Sequence, residues 1–456
     1  MKYQFSQTPV DVLPVTTKYR KIKTAIPAPE TLRILLDLEK YESRSMHGQL
    51  PVVWDRAEGF QVYDICGNCW IDFTSTIFVA NSGHANPQIL SALQKVINHK
   101  LLHTYTFAHE IRAKFLKKLI EITPNQFEKA FLLSAGTEAT ECAVKLMRMH
   151  GQTISPTKLG IISFQGAMHG RTMGAEMLKG VSHQSTWIGY SDPNIYHLPF
   201  PHESFDKKYD WEKHFREDMN VLKSKGLNFN NIAGFMIESY MGWSAMFYPV
   251  KYIKALTTFA KEHNCLTTFD DIQGGFGRSG KLFTYQHYGV EPDLLCLGKA
   301  LSGSLPLSAV IGSQKIMDLP EFGSMSSTHS ANPLCCAAGL ANLEALESGK
   351  LITESARKGR ILHQCLNKFK KKYSDRISCV FGKGLLAGVL FKDPETGEPD
   401  GVFASKVCEK AMQKGLLLVH TGRESIKIGP PLTIPDEALE EGLDVFDEVI
   451  AETIND

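Results

Sequence analysis

The 456-residue chain has almost no charge imbalance, with 50 Lys and Arg against 49 Asp and Glu. Nucleic acids and acidic membranes are held by surplus basic charge, so neither is an expected partner. No apolar run approaches the ~18 residues a membrane-spanning helix needs. Met1-Lys-Tyr-Gln-Phe-Ser-Gln7 lacks a signal-peptide pattern, and a cytoplasmic protein is the expectation. Ten cysteines in a chain this long do not make a disulfide framework, and a reducing compartment would leave them as thiols. Cys66-Gly-Asn-Cys69 has no second CxxC to complete four ligands, and reads as a hairpin turn between residues 62–65 and 70–73. The 16 histidines include no HExxH, so no metal is expected. Repeats and low-complexity tracts are also missing. The length exceeds one ordinary core, which implies a large domain with smaller terminal parts.

What the chain does have is a lysine in an unusual place. Lys299 closes the apolar run Leu294-Leu-Cys-Leu297, which reads as a buried strand. One reading is a helix-start lysine with its stem on the core and its head in water. The other is a desolvated amine, nucleophilic because burial disfavours the ammonium, and suited to forming a Schiff base with an aldehyde. The upstream chain favours the second. Ala233-Gly-Phe-Met-Ile237 ends at Glu238, and Cys265-Leu-Thr-Thr-Phe269 ends at Asp270, Asp271 and, close behind, Gln273. Between them, residues 250–263 carry apolar side chains at helical spacing. Strand, helix, strand is a parallel βαβ unit, and ligands bind beyond the carboxyl ends of such strands. Glu238, Asp270 and Lys299 are therefore expected to gather at one edge.

A further run, Ala130-Phe-Leu-Leu133, leads through Ser134-Ala135 into Gly136-Thr137 and a helix-like segment. A glycine and a hydroxyl at a helix start suit a phosphate, although the same pattern serves as an ordinary N-cap. An aldehyde-binding lysine, an aspartate and a phosphate cradle together describe pyridoxal 5′-phosphate. Two nucleotide readings fail. Gly275-Phe-Gly-Arg-Ser-Gly280 matches GxGxxG, but aspartates and Gln273 separate it from the strand, and no convincing helix follows. A Walker motif at Gly298-Lys299 would need its first glycine at Asp293 and a hydroxyl at Ala300.

Phe269 to Gly280 followed by Asp293 to Lys299 resembles the class III aminotransferases, pyridoxal-phosphate enzymes of fold type I. Further matches include Gly83-His84-Ala-Asn-Pro87, Ser134 to Glu138, His169-Gly-Arg-Thr172, Ser327-Thr328 with Asn332-Pro333, and Pro430-Pro-Leu-Thr-Ile434. The resemblance implies an α/β fold. Its large domain, with a mostly parallel sheet flanked by helices, spans residues 76–345. A smaller α+β domain comes from both termini, residues 1–75 with an N-terminal arm and residues 346–456. The segment 342–350 is the expected crossing helix.

The resemblance also implies roles. Lys299 would hold the cofactor as an aldimine and then move the proton. Asp270 would pair with the pyridine nitrogen, making the ring an electron sink. Gln273 would bond the ring hydroxyl, and Gly136 with Thr137 would hold the phosphate. Thr328 would reach that phosphate from the other subunit of a homodimer. Glu238 would line the cofactor site, and Met168 stands where an aromatic ring commonly stacks on the cofactor. His84 and His169 are expected to be wall or packing residues, and Asp271 a cap or ion-pair residue.

Two departures concern the substrate. Lys427 replaces an arginine that many relatives use to grip a carboxylate, and lysine lacks the planar fork. Trp243 stands near where some relatives carry a glutamate. The expected activity moves an amino group from an amine or amino acid to a 2-oxo acid through a pyridoxamine intermediate. An amino-acid racemase or epimerase is the alternative, because Pro27-Ala-Pro-Glu-Thr-Leu-Arg33 is similar to groups containing both activities. A non-catalytic protein on the same fold is disfavoured by the presence of Lys299, Asp270 and Gln273.

Overall fold

The computed structural model describes residues 3–202 and 209–456. A seven-stranded sheet lies at its centre. Its strand order is Lys129–Leu133, Ser308–Gly312, Leu294–Leu297, Leu266–Asp270, Ile232–Glu238, Gly160–Phe164 and Ile195–Leu198. Ser308–Gly312 runs antiparallel to both neighbours, while the remaining pairings are parallel. Five of these strands, Gly160–Phe164, Ile232–Glu238, Leu266–Asp270, Leu294–Leu297 and Ser308–Gly312, are buried at every residue. Continuous apolar runs produce this pattern because helices cover both faces of a parallel sheet. The Gly136–Ile154 helix packs on the Ile232–Glu238, Leu294–Leu297 and Ser308–Gly312 strands, and Val250–Glu262 packs with Trp211–Ser224.

The two ends of the chain share a sheet. Leu416–Leu417 pairs in parallel with Cys69–Asp72, and the Trp70 indole N–H donates to the Met412 carbonyl at 2.7 Å. A further four-stranded antiparallel sheet joins Ile377–Gly382, Ala387–Phe391, Ser425–Ile428 and Val419–His420.

Two local expectations need correcting. The hairpin around Cys66 pairs Tyr63 with Cys69, so its loop holds residues 64–68 rather than two residues. Asp64 dictates that longer loop, since its carboxylate accepts from the N–H groups of Cys66 and Asn68 and from the Asn68 amide. Segment 342–350 is not a separate crossing helix. It closes the Pro333–Ser348 helix, and Lys350, at φ 50°, breaks the chain before Leu351–Lys372.

Candidate active site

Parallel register brings the polar strand ends together. Asp270 lies opposite Glu238 on one neighbour and Cys296 on the other. Three residues beyond Cys296 the chain turns, with Gly298 extended and Lys299 left-handed at φ 42°. That conformation costs a non-glycine residue ~1–2 kcal/mol, and such strain concentrates at functional sites. Ile272 locks three motifs together. A Cβ on either Gly136 or Gly298 would meet its side chain at 3.1 Å, so both positions favour glycine.

Asp270 is buried, and its Oδ1 accepts from the Ile272 N–H at 3.1 Å. Its Oδ2 lies 2.8 Å from Nδ1 of His169, 101 residues away in sequence. A carboxylate only accepts, so Nδ1 carries the proton and Nε2 faces the Ser163 hydroxyl at 3.2 Å. His169 thus orients Asp270, a more specific task than the packing role expected of it. His84 fits the packing expectation, bonding buried Asp72 at 2.7 Å. Asp271 accepts from the Thr284 N–H at the start of a short 3₁₀ turn, and burial pushes its carboxyl up to about 7.

Lys299 is partly accessible, yet burial lowers its pKa below the ordinary lysine value against the opposing pull of Asp270 and Glu238. Its amine has no protein hydrogen-bond acceptor among the described residues. Glu238 accepts from the Met168 N–H at 3.1 Å, and burial pushes its carboxyl up to about 7, with the Asp270 charge adding to the effect. Met168 remains 36% exposed. At the Gly136–Ile154 helix start, Glu138 accepts the Ser134 and Ala135 N–H groups and its own N–H donates to the Ala135 carbonyl, which leaves the Gly136 and Thr137 N–H groups for a ligand. The Thr137 hydroxyl meets Thr172 at 2.6 Å, and a Cβ on Gly170 would strike that hydroxyl at 2.1 Å. Gly170 therefore lets the His169–Thr172 segment close over the helix start.

Gln273 Oε1 accepts from the Tyr240 hydroxyl and from Lys427 Nζ, both at 3.0 Å. Lys427 is 4% exposed and lies 4.6 Å above the Phe78 ring. Phe78 ends a left-handed run, Ser75 to Phe78 at φ 46, 52, 60 and 68°, that contains no glycine. Arg278, fully buried, holds this run by donating to the Ser75 hydroxyl and to the carbonyl oxygens of Leu385 and Pro430. The GxGxxG segment is thus scaffold: Gly277 and Gly280 sit at φ 91° and 84° against Ile352 and Ala356.

Two sequence candidates make no hydrogen bond to this cluster among the described residues. Thr328 is exposed, and its carbonyl accepts from His103 Nε2 at 2.9 Å. No hydrogen bond among the described residues joins it to Gly136, Thr137 or Lys299 within the chain. Trp243 lines a neighbouring cavity with its indole under the Arg423 guanidinium, 3.7 Å from the ring centroid. Arg423, Tyr240 and Phe78 carried no sequence signal of their own.

Burial and then the nearby Lys299 push the Lys427 amine from 10.5 down to about 7, so its stability contribution depends on pH. Below about pH 7 both states bind the proton, and the full penalty of burying a cation is present. Between about 7 and 10.5 only the unfolded lysine stays protonated, so stability rises with pH. In cofactor-free protein, Lys427→Met is expected to be more stable than the parent by a few kcal/mol at neutral pH. The two should converge toward pH 10. Urea unfolding across this range checks it, and parallel curves would show that Lys427 is not a buried neutral amine.

The aminotransferase class-III family model matches residues 42–450. The 2-aminoadipate transaminase of Pseudomonas putida is 33% identical over 88% of this chain and 96% of its own. The alanine/serine racemase of Pyrococcus horikoshii is 29% identical over 99% of this chain and 96% of its own. The ornithine aminotransferase structure from Toxoplasma gondii superposes with a TM-score of 0.80, at 25% identity, over 92% of this chain and 95% of that one. The residues present also fit pyridoxal phosphate: a free helix start for phosphate, a buried oriented carboxylate, and a lysine without a protein acceptor. The chain belongs to the class III aminotransferases and is a pyridoxal-phosphate-dependent transaminase of fold type I.

Proposed function

We propose that the strand-end cluster divides the work of amino transfer as follows. Bound pyridoxal phosphate supplies an aldehyde that condenses with amines and a ring that withdraws electrons. Lys299 provides the amine that links to it, and on release carries the proton to and from the reacting carbon. Asp270, oriented by His169, faces the ring nitrogen. Gln273 bonds the ring hydroxyl, Gly136 and Thr137 hold the phosphate, and Met168 and Glu238 form the adjoining wall. Lys427 and Trp243 face the substrate. The observation that carries this reading is Lys299 at the strand end beside the Asp270–His169 pair.

Thr328 belongs in this reading to the phosphate site of a second copy. Its exposure, and the lack of any hydrogen bond from it to its own chain's cluster among the described residues, support a homodimer with shared sites. Domain borders near residues 75 and 345 are consistent with the sheet that joins Leu416–Leu417 to Cys69–Asp72. Among the described residues no helix is long and apolar enough to cross a membrane. A cytoplasmic location is our reading because all ten cysteines are free thiols. Recovery of the protein in an oxidising compartment would overturn it.

The substrates are an amino acid or amine and a 2-oxo acid. Incubating the loaded enzyme with a panel of amines should convert the cofactor to its aminated form, seen by absorbance, and yield the matching oxo product. A relative named as an alanine/serine racemase makes chirality the second readout. Loss of substrate chirality without oxo product would favour racemisation, and no spectral change with any donor would defeat the transaminase reading.

A further inference from the structure

The two ends of the Gln273 amide have different partners. Its oxygen accepts twice, from the Tyr240 hydroxyl and from Lys427 Nζ, each at 3.0 Å. Its nitrogen, Nε2, donates to no protein acceptor among the described residues, and the residue is partly accessible. A Cβ on Gly242 would meet Glu238 Oε1 at 2.2 Å and Gln273 Nε2 at 3.6 Å, so glycine keeps space beside that nitrogen.

An amide turned end for end fills the same outline, so its neighbours decide which end faces them. Both neighbours select the oxygen. A lysine ammonium has three donors and no acceptor, and Lys427 has no other hydrogen-bond acceptor among the described residues. The Tyr240 hydroxyl is in the same position, buried with only Gln273 Oε1 to receive its proton. Turning the amide would strand a buried donor, which is costlier than never having made the bond. Both neighbours are themselves held by other parts of the chain. The Tyr240 ring stacks on Phe247 with centroids 5.6 Å apart and planes inclined by 22°. A Cβ on Gly274 would strike Tyr240 Cε1 at 2.8 Å, so the glycine after Gln273 lets that ring approach. Lys427 is fixed by the Ser425–Ile428 strand and by the Phe78 ring.

We propose that Lys427 and Tyr240 are positioning residues that fix the Gln273 amide with its N–H groups toward the cofactor's ring oxygen. The inference rests on the reading above that puts Gln273 at that oxygen, and it gives Lys427 a task other than gripping a substrate carboxylate. An N–H donated to the ring oxygen draws on its negative charge. The proton shared between that oxygen and the linked nitrogen is then held less tightly and leaves at lower pH. With the amide turned, an oxygen would face an oxygen and the proton would be held more tightly.

The test is a pH titration of the loaded protein without substrate, followed by the cofactor's absorbance. Lys427→Met and Tyr240→Phe should each raise the midpoint, and the double variant should raise it by about 0.5 to 1 pH unit, the size of one hydrogen bond. Lys427→Arg, whose guanidinium also only donates, should lie nearer the parent than Lys427→Met does. Lys299 and Glu238 are the charges that act on Lys427, so its own charge must be separated from its effect on the amide. A Gln273→Ala background does this. There, adding Lys427→Met should move the midpoint by less than about 0.2 unit, because the amide through which it acts is gone. A shift as large in that background as in the parent would mean a charge acting through space, and would overturn the proposal. A parental midpoint in the double variant, with Gln273→Ala shifted, overturns it as well. If Gln273→Ala itself keeps the parental midpoint, the placement of Gln273 at the ring oxygen fails, and the proposal falls with it.

Discussion

Lys299→Ala is expected to abolish amino transfer while leaving the fold intact. The side chain is asked to do two things, to link with the cofactor and to carry the proton at the reacting carbon. Loss of positioned proton transfer alone costs ~10²–10⁴-fold, and the missing covalent link adds to it. The folded chain should tolerate the change. Lys299 Nζ has no protein hydrogen-bond acceptor to abandon, and burial already works against its charged form. Borohydride reduction of the loaded parent, followed by peptide mapping, should place the adduct on Lys299. An adduct on another lysine in saturated protein would reject the assignment.

The same variant tests the shared site. Mixed with Thr328→Ala under conditions of subunit exchange, it should give dimers in which one site holds both lesions and the other neither. Activity should then rise above that of either parent variant. If exchange is demonstrated and activity does not rise, Thr328 does not serve a second subunit.

Asp270→Asn is expected to lower turnover by ~10²–10³-fold, the range found when a preorganised electrostatic partner is removed from a reacting group. The amide keeps the shape, its oxygen can still accept from the Ile272 N–H, and its NH2 can donate to His169 Nδ1 once the imidazole proton moves to Nε2, so the unfolding midpoint should move far less than the rate. His169→Phe should also slow turnover, by a smaller factor, because it frees the Asp270 carboxylate to rotate without removing its charge. His169→Asn, which keeps a donor, should recover part of that loss. A purely structural histidine would show no such ordering, and equal rates in Asp270→Asn and the parent would remove Asp270 as the ring partner. Both readings can be checked by stopped-flow amination followed at the cofactor's absorbance.

Several features were legible in the chain itself because they are local. A run of apolar residues ending in Glu238, Asp270 or Lys299 specifies a buried strand with a polar tip. The helical spacing of residues 250–263 supplies the crossover that makes the neighbouring strands parallel. Parallel register then puts Asp270 opposite Glu238 and Cys296. A glycine before a hydroxyl at residue 136 gives an open helix start for a similarly local reason.

Only the tertiary structure decided how these tips are tuned. The Asp270–His169 bond joins residues 101 apart, and the Gln273–Lys427 bond joins residues 154 apart. Nothing within a few residues of either partner signals such a contact. Lys427 reads in sequence as a weakened carboxylate grip, yet packing against Phe78 makes it a buried amine pushed down to about 7. The left-handed run from Ser75 to Phe78 lacks the glycine that would announce it, and depends on Arg278 from another part of the chain. Arg423 looks in sequence like one more surface cation, and only the fold lays it on Trp243 at a cavity. Strand and helix follow from neighbours two to four residues away. Burial, charge and orientation at the site follow from residues that only the completed sheet brings within reach.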